Sequence, residues 1–70
     1  PEQIASAVVQ FETLESAVEA VMLMMQMALP LARIELLDAV QMGACIAYSQ
    51  LDEFEAKPTL FMEFHGSPGA

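Results

Sequence analysis

Two stretches of the chain alternate apolar and polar residues: Leu31-Ala-Arg-Ile-Glu-Leu-Leu-Asp38 and Pro58-Thr-Leu-Phe-Met-Glu-Phe-His-Gly-Ser67. A period of two sends successive side chains to opposite faces of a strand, so each stretch predicts a strand with two unlike faces. One face carries Ala32, Ile34 and Leu36, then Leu60, Met62 and Phe64. The other carries Arg33 and Glu35, then Phe61, Glu63 and His65. A further strand is predicted over 4–11, with Ala5, Ala7, Val9 and Phe11 on one face and Ser6, Val8 and Gln10 on the other.

Helical spacing follows. Leu14, Ala17, Val18, Val21, Met25 and Leu29 fall on one side of a helix, with Glu15, Glu19, Met22 and Gln26 opposite. Thr13 is a suitable N-cap, and Glu15 sits where the helix dipole favours an acid. The second half is apolar nearly all round, as expected of a helix covered on more than one side. Pro30 ends it. Asp38 and Gln41 have the spacing of a capping box opening a second helix. Val40, Ala44, Ala47, Tyr48 and Leu51 form its predicted buried stripe. Gly43 costs that helix about 1 kcal/mol relative to alanine unless close packing requires it. Residues 52–58 read as an acidic connection, and 66–70 as a flexible tail.

The order is therefore strand, helix, strand, helix, strand. A doubly wound parallel sheet buries both faces and would show continuous apolar runs. The alternation seen here predicts an α+β fold instead: an open-faced, ferredoxin-like sandwich with both helices on one side of the sheet. Residues 1–70 make one partial domain.

Length and composition limit how such a domain stabilises itself. Seventy residues give a small core. Cys45 is the only cysteine, which excludes a disulfide, and no cysteine–histidine cluster is present for zinc. The hydrophobic fraction, 56%, is more than so small a globule hides easily, which predicts burial against a partner: the rest of a longer chain, or a second copy. The start at Pro1 and the Gly-Ser-Pro-Gly tail suggest a segment of a longer chain. The net charge of −8, with Arg33 and Lys57 against ten acids, disfavours nucleic acid and anionic membrane surfaces. The apolar run over 21–29 is too short to span a bilayer, and no signal peptide is visible, so the expected location is the cytoplasm or an organelle interior.

Arg33, Glu35, Glu63 and His65 are the residues with chemistry to offer. They should share the uncovered sheet face as the lining of a pocket that handles a carboxylate, because the planar guanidinium fork matches a carboxylate with two parallel hydrogen bonds. The plainer reading of the same residues is cross-strand ion pairing, Arg33 with Glu63 foremost, worth roughly 0.2–1 kcal/mol. His65 with Glu63 and Glu35 is a weak ligand set, and no metal site or catalytic residue is assigned. Cys45, mid-helix in an acidic chain, reads as a buried, inert thiol. Met22, Met24, Met25 and Met27 read as packing residues, part of whose surface forms an interface. No Gly-rich phosphate loop is present.

Three stretches also carry a family likeness. Ala7-Val-Val-Gln-Phe-Glu-Thr-Leu-Glu-Ser-Ala-Val-Glu-Ala-Val21, Pro30-Leu-Ala-Arg-Ile-Glu-Leu-Leu-Asp38 and Pro58-Thr-Leu-Phe-Met-Glu-Phe-His-Gly-Ser67 resemble the FAD-linked D-2-hydroxy-acid dehydrogenases. This is the group of flavoproteins containing the cytochrome-type D-lactate dehydrogenase and the glycolate oxidase subunit. The resemblance implies the first part of the C-terminal cap domain, on the substrate side of the flavin, with a mainly antiparallel ferredoxin-like sheet. It implies a parent oxidoreductase in which flavin accepts hydride from C2 of a D-2-hydroxy acid and passes electrons to a cytochrome or quinone. The family's flavin-binding segments and its metal-binding His-x-Gly-Asp-Gly-Asn-x-His motif are not in these residues. FAD, and a divalent metal, would thus be held in the parent by other residues, and this segment would not turn over alone. Composition and patterning are equally met by a different class of protein, a stand-alone oligomeric α+β module that binds a ligand or regulates a partner.

Overall fold

The computed structural model describes residues 3–66. The elements are β1 (Gln3–Gln10), α1 (Leu14–Gln26), β2 (Leu31–Leu37), α2 (Ala39–Ser49) and β3 (Thr59–Gly66). The strands form one sheet in the order β1-β3-β2, with β3 antiparallel to both neighbours. β1 and β2 therefore run in the same direction, one strand apart. Parallel strands need a crossover, and α1 is that crossover, giving the split β-α-β unit of ferredoxin-like folds. The α+β class and the element order agree with the sequence pattern. Of the predicted tail, Gly66 is the last residue of β3, opposite Gln3. The remainder lies outside the described residues.

Register follows the alternation. Val9 lies opposite Leu60 and Ala7 opposite Met62, while Ile34 and Leu36 face the same two β3 residues from the other side. Leu60 is fully buried and Met62 nearly so. Burying two such side chains contributes about 1.5–3 kcal/mol each. Ala17 of α1 and Met42 of α2 complete the buried apolar set.

Three expectations are corrected by the packing. β2 carries a bulge: Leu31 pairs with Phe64 and Arg33 with Glu63, leaving Ala32 as an extra residue. Leu31, not Ala32, therefore sits opposite Phe64, and Ala32 is exposed. In α1, Ala17 is buried and Ala20, Val21 and Met24 are half-buried, whereas Leu14, Val18 and Met25 are exposed. The inward side is thus Ala17 with Ala20, Val21 and Met24, rotated from the expected stripe.

The largest correction concerns α2. Its expected stripe is mostly the outer side: Val40 is 82% exposed and Tyr48 92%, with Ala44 and Ala47 also exposed and only Leu51 half-buried. The inner side is Met42, flanked by half-buried Ala39, Gly43, Cys45 and Ile46. The helix begins one residue after β2, so the strand exit and the cap set its rotation. Asp38 closes the capping box. Gln41 N–H donates to Asp38 Oδ1 at 2.7 Å, and Asp38 N–H donates to Gln41 Oε1 at 2.9 Å. At its other end Gln50 adopts a left-handed conformation, φ 55°, which turns the chain out of the helix.

The return loop is tied to β1 by one side chain. Gln10 Nε2 donates to Glu55 O at 2.8 Å and to Thr59 Oγ1 at 3.0 Å, and Glu55 N–H donates to Gln10 Oε1 at 3.3 Å. The buried Thr59 hydroxyl donates to Lys57 O at 2.8 Å. Lys57 Nζ donates to Glu12 Oε1 at 2.6 Å, and this hydrogen bond raises the lysine above its ordinary pKa.

Two substitutions check this account. Asp38→Ala removes one half of the capping box and should lower stability by about 0.5–2 kcal/mol in urea unfolding followed by helical circular dichroism. Gly43→Ala should raise stability by about 0.5–1 kcal/mol. A methyl group there meets Ala56 Cβ at 3.6 Å, an ordinary contact. A lowered urea midpoint would show that the helix needs glycine at that position.

Candidate functional site

The mixed face of the sheet is built from every second residue of each strand. β1 supplies Ser6 and Val8, β2 supplies Arg33, Glu35 and Leu37, and β3 supplies Phe61 and Glu63. Cross-strand neighbours at this spacing sit within side-chain reach. These residues, with Ala7 and Met62 between them, Cys45 of α2 and Leu51 just beyond it, line an open groove of about 370 Å³.

Three of the four predicted site residues meet there. Arg33 reaches Glu35 at 3.3 Å along its own strand and Glu63 at 3.6 Å across to β3. The Arg33 side chain is 67% exposed, so solvent screens both pairs and each is worth about 1 kcal/mol or less. One guanidinium between two carboxylates leaves the cluster with a net charge of −1. Its fork is already occupied, which is the cross-strand pairing expected of these residues. The fourth, His65, is on the same side of β3 but two residues further along, opposite Ile4, and does not line the groove.

The floor of the groove is apolar and partly shielded. Phe61 lies under the ring of Phe54 from the return loop, edge to face at 6.3 Å and 67°. This contact, and the place of Cys45, were not anticipated. Cys45 is half-buried at the groove, not sealed in a core. The signal was available, since Cys45 lies three residues beyond Met42 and shares its side of the helix. Phe54 was hidden inside a segment read only for its acids.

Among the described residues no group of three or more His, Cys, Asp or Glu side chains is placed to hold a metal ion. No helix among them is long and apolar enough to cross a membrane. Both helix N-termini are occupied by their own caps, Thr13 accepting from Ser16 N–H at 3.1 Å and Asp38 accepting from Gln41. The arrangement is a groove, apolar at its base and weakly acidic at its rim.

Comparison with known proteins gives that groove a context. A relative from Danio rerio, named "Probable D-lactate dehydrogenase, mitochondrial", is 45% identical over 67 residues. The match covers 96% of this chain but 13% of the relative, so the chain spans a small part of that protein's length. No solved structure matches. The family described as FAD linked oxidases, C-terminal domain, matches residues 1–70, every position of the chain. The chain belongs to the family of FAD-linked oxidase C-terminal domains.

Proposed function

We propose that this chain is part of an FAD-dependent oxidoreductase that oxidises a D-2-hydroxy acid of the D-lactate or glycolate type. In that parent it forms part of the cap over the substrate side of the flavin. The observation that carries the reading is the family match over the whole chain, together with a likeness to a protein named as a D-lactate dehydrogenase. The match along the full sequence also favours this reading over a stand-alone ligand-binding module.

The residues present do not fit the flavin itself. A dinucleotide diphosphate needs cations, a Gly-rich turn or free helix N-termini. Here both helix N-termini are capped by side chains, Arg33 is held by two carboxylates, and the groove is net acidic. FAD in the parent is therefore assigned to other segments, and no step of the reaction is routed through this chain. Its contribution is a shaped wall. Phe61 supplies an apolar base, and the Glu35–Arg33–Glu63 cluster supplies a charged rim to the groove. The remainder of the parent chain is the partner that covers the exposed apolar surface of α1 and its C-cap, where Met22, Leu23, Met25 and Met27 are all exposed.

The test is made on the full-length protein, which should be yellow as purified and should oxidise D-lactate or glycolate with an electron-accepting dye. In it, Arg33→Ala should raise KM for the hydroxy acid roughly threefold to fivefold with kcat little changed, the scale of one screened ion contact. Unchanged kcat and KM would remove Arg33 from the pocket wall. The 70-residue chain alone should be colourless, inactive and self-associated through its uncovered apolar surface. Light scattering that reports a monomer at high micromolar concentration would contradict the self-association.

A further inference from the structure

Among the described residues that line the groove, Phe61 is the one aromatic. Its backbone is fixed, because it pairs with Val8 on one side and Glu35 on the other within the central strand. The freedom left to it is rotation of the side chain. Phe54 restricts that rotation through the edge-to-face contact at 6.3 Å and 67°. Phe54 does not itself line the groove, so any effect it has there passes through Phe61. It is also held on both sides along the chain. Its own N–H donates to Leu51 O at 3.1 Å, and Leu51 is a groove residue. The next residue, Glu55, is bonded at both its N–H and its C=O by the Gln10 side chain. Glu53 and Glu55 on either side of it are exposed, whereas Phe54 is half-buried. An anchored turn thus presses one ring against the ring that forms the groove base.

We infer that Phe54 is a positioning residue: by holding the Phe61 ring at the groove base, it sets how deep a substrate side chain enters. This rests on the groove being part of the substrate wall of the parent dehydrogenase. Without the Phe54 ring, Phe61 gains room to turn away and the groove deepens. A hydroxy acid with a long alkyl chain then gains contact surface, because each methylene it buries adds to binding. The methyl group of lactate is too short to use the added depth. Removing Phe54 therefore changes the selectivity for chain length, which a loss of stability alone would not do.

The experiment measures kcat/KM of the full-length protein for D-2-hydroxyhexanoate and for D-lactate, and follows their ratio. Phe54→Ala should raise the long-to-short ratio roughly threefold to tenfold, the scale of one aromatic edge contact. Phe54→Tyr, which keeps the ring, should restore the wild-type ratio. In a Phe61→Ala background, adding Phe54→Ala should leave the ratio where Phe61→Ala puts it, since the route through Phe61 is gone. Phe54→Leu keeps apolar volume without a ring edge, and serves in place of Phe54→Ala if that variant loses its flavin on purification; the same shift is expected of it. An unchanged ratio in a variant that keeps its flavin would overturn the inference. An equal shift with and without Phe61 would overturn it too, because Phe54 would then act by another route. A wild-type protein without flavin, or one that oxidises neither acid, overturns the dehydrogenase reading and this inference with it. A missing shift in an active enzyme overturns this inference alone.

Discussion

The pairing of β3 on both sides is the constraint from which the rest of the structure follows. Thr59–Gly66 is the last element among the described residues, yet it occupies the middle of the sheet. A buried backbone needs all its N–H and C=O groups bonded, and only a central strand meets that need on both edges. Once β3 is inserted between β1 and β2, those two run parallel and apart, and α1 must cross from one to the other. The buried Leu60 and Met62 then become the common ground for both outer strands, since each is opposed from both sides.

The loop that delivers β3 to this position is held by polar contacts more than by apolar ones. Gln10 bonds Glu55 and Thr59 together, and Lys57 joins Glu12 to Glu55. These bonds fix where β3 begins, and so fix which of its residues face the core. A slip of one residue would turn Leu60 and Met62 outward and carry Phe61 and Glu63 inward. The same loop brings Phe54 down on Phe61. Register, loop anchoring and the base of the groove are one connected arrangement.

The mixed face draws its character from charge as much as from shape. In a chain of net charge −8, placing one of its two cations between Glu35 and Glu63 relieves the repulsion between those two carboxylates. That makes the cluster a structural feature first.

Strand alternation, the Thr13 cap and the Asp38–Gln41 box were all legible in the sequence, because each depends on neighbours within a few residues. The first helix, expected to run through Leu29 to a stop at Pro30, ends instead at Gln26, and Ala28 beyond it takes a left-handed conformation, φ 53°. The partition of Arg33, Glu35 and Glu63 onto one face was legible for the same reason. Other features were decided only by tertiary structure. The bulge at Ala32 arises from fitting β2 against β3, a partner more than twenty residues away. The inner side of α2 was misread because nearly all of its residues are apolar or small, so periodicity alone does not choose between Met42 and Val40. The strand exit at Leu37 and the return loop at Ala56 make that choice. Local sequence thus determined the order and type of the elements and, apart from the bulge at Ala32, the two faces of each strand. Long-range pairing determined strand order, helix rotation and which residues meet at the groove, because those depend on contacts that no local pattern encodes.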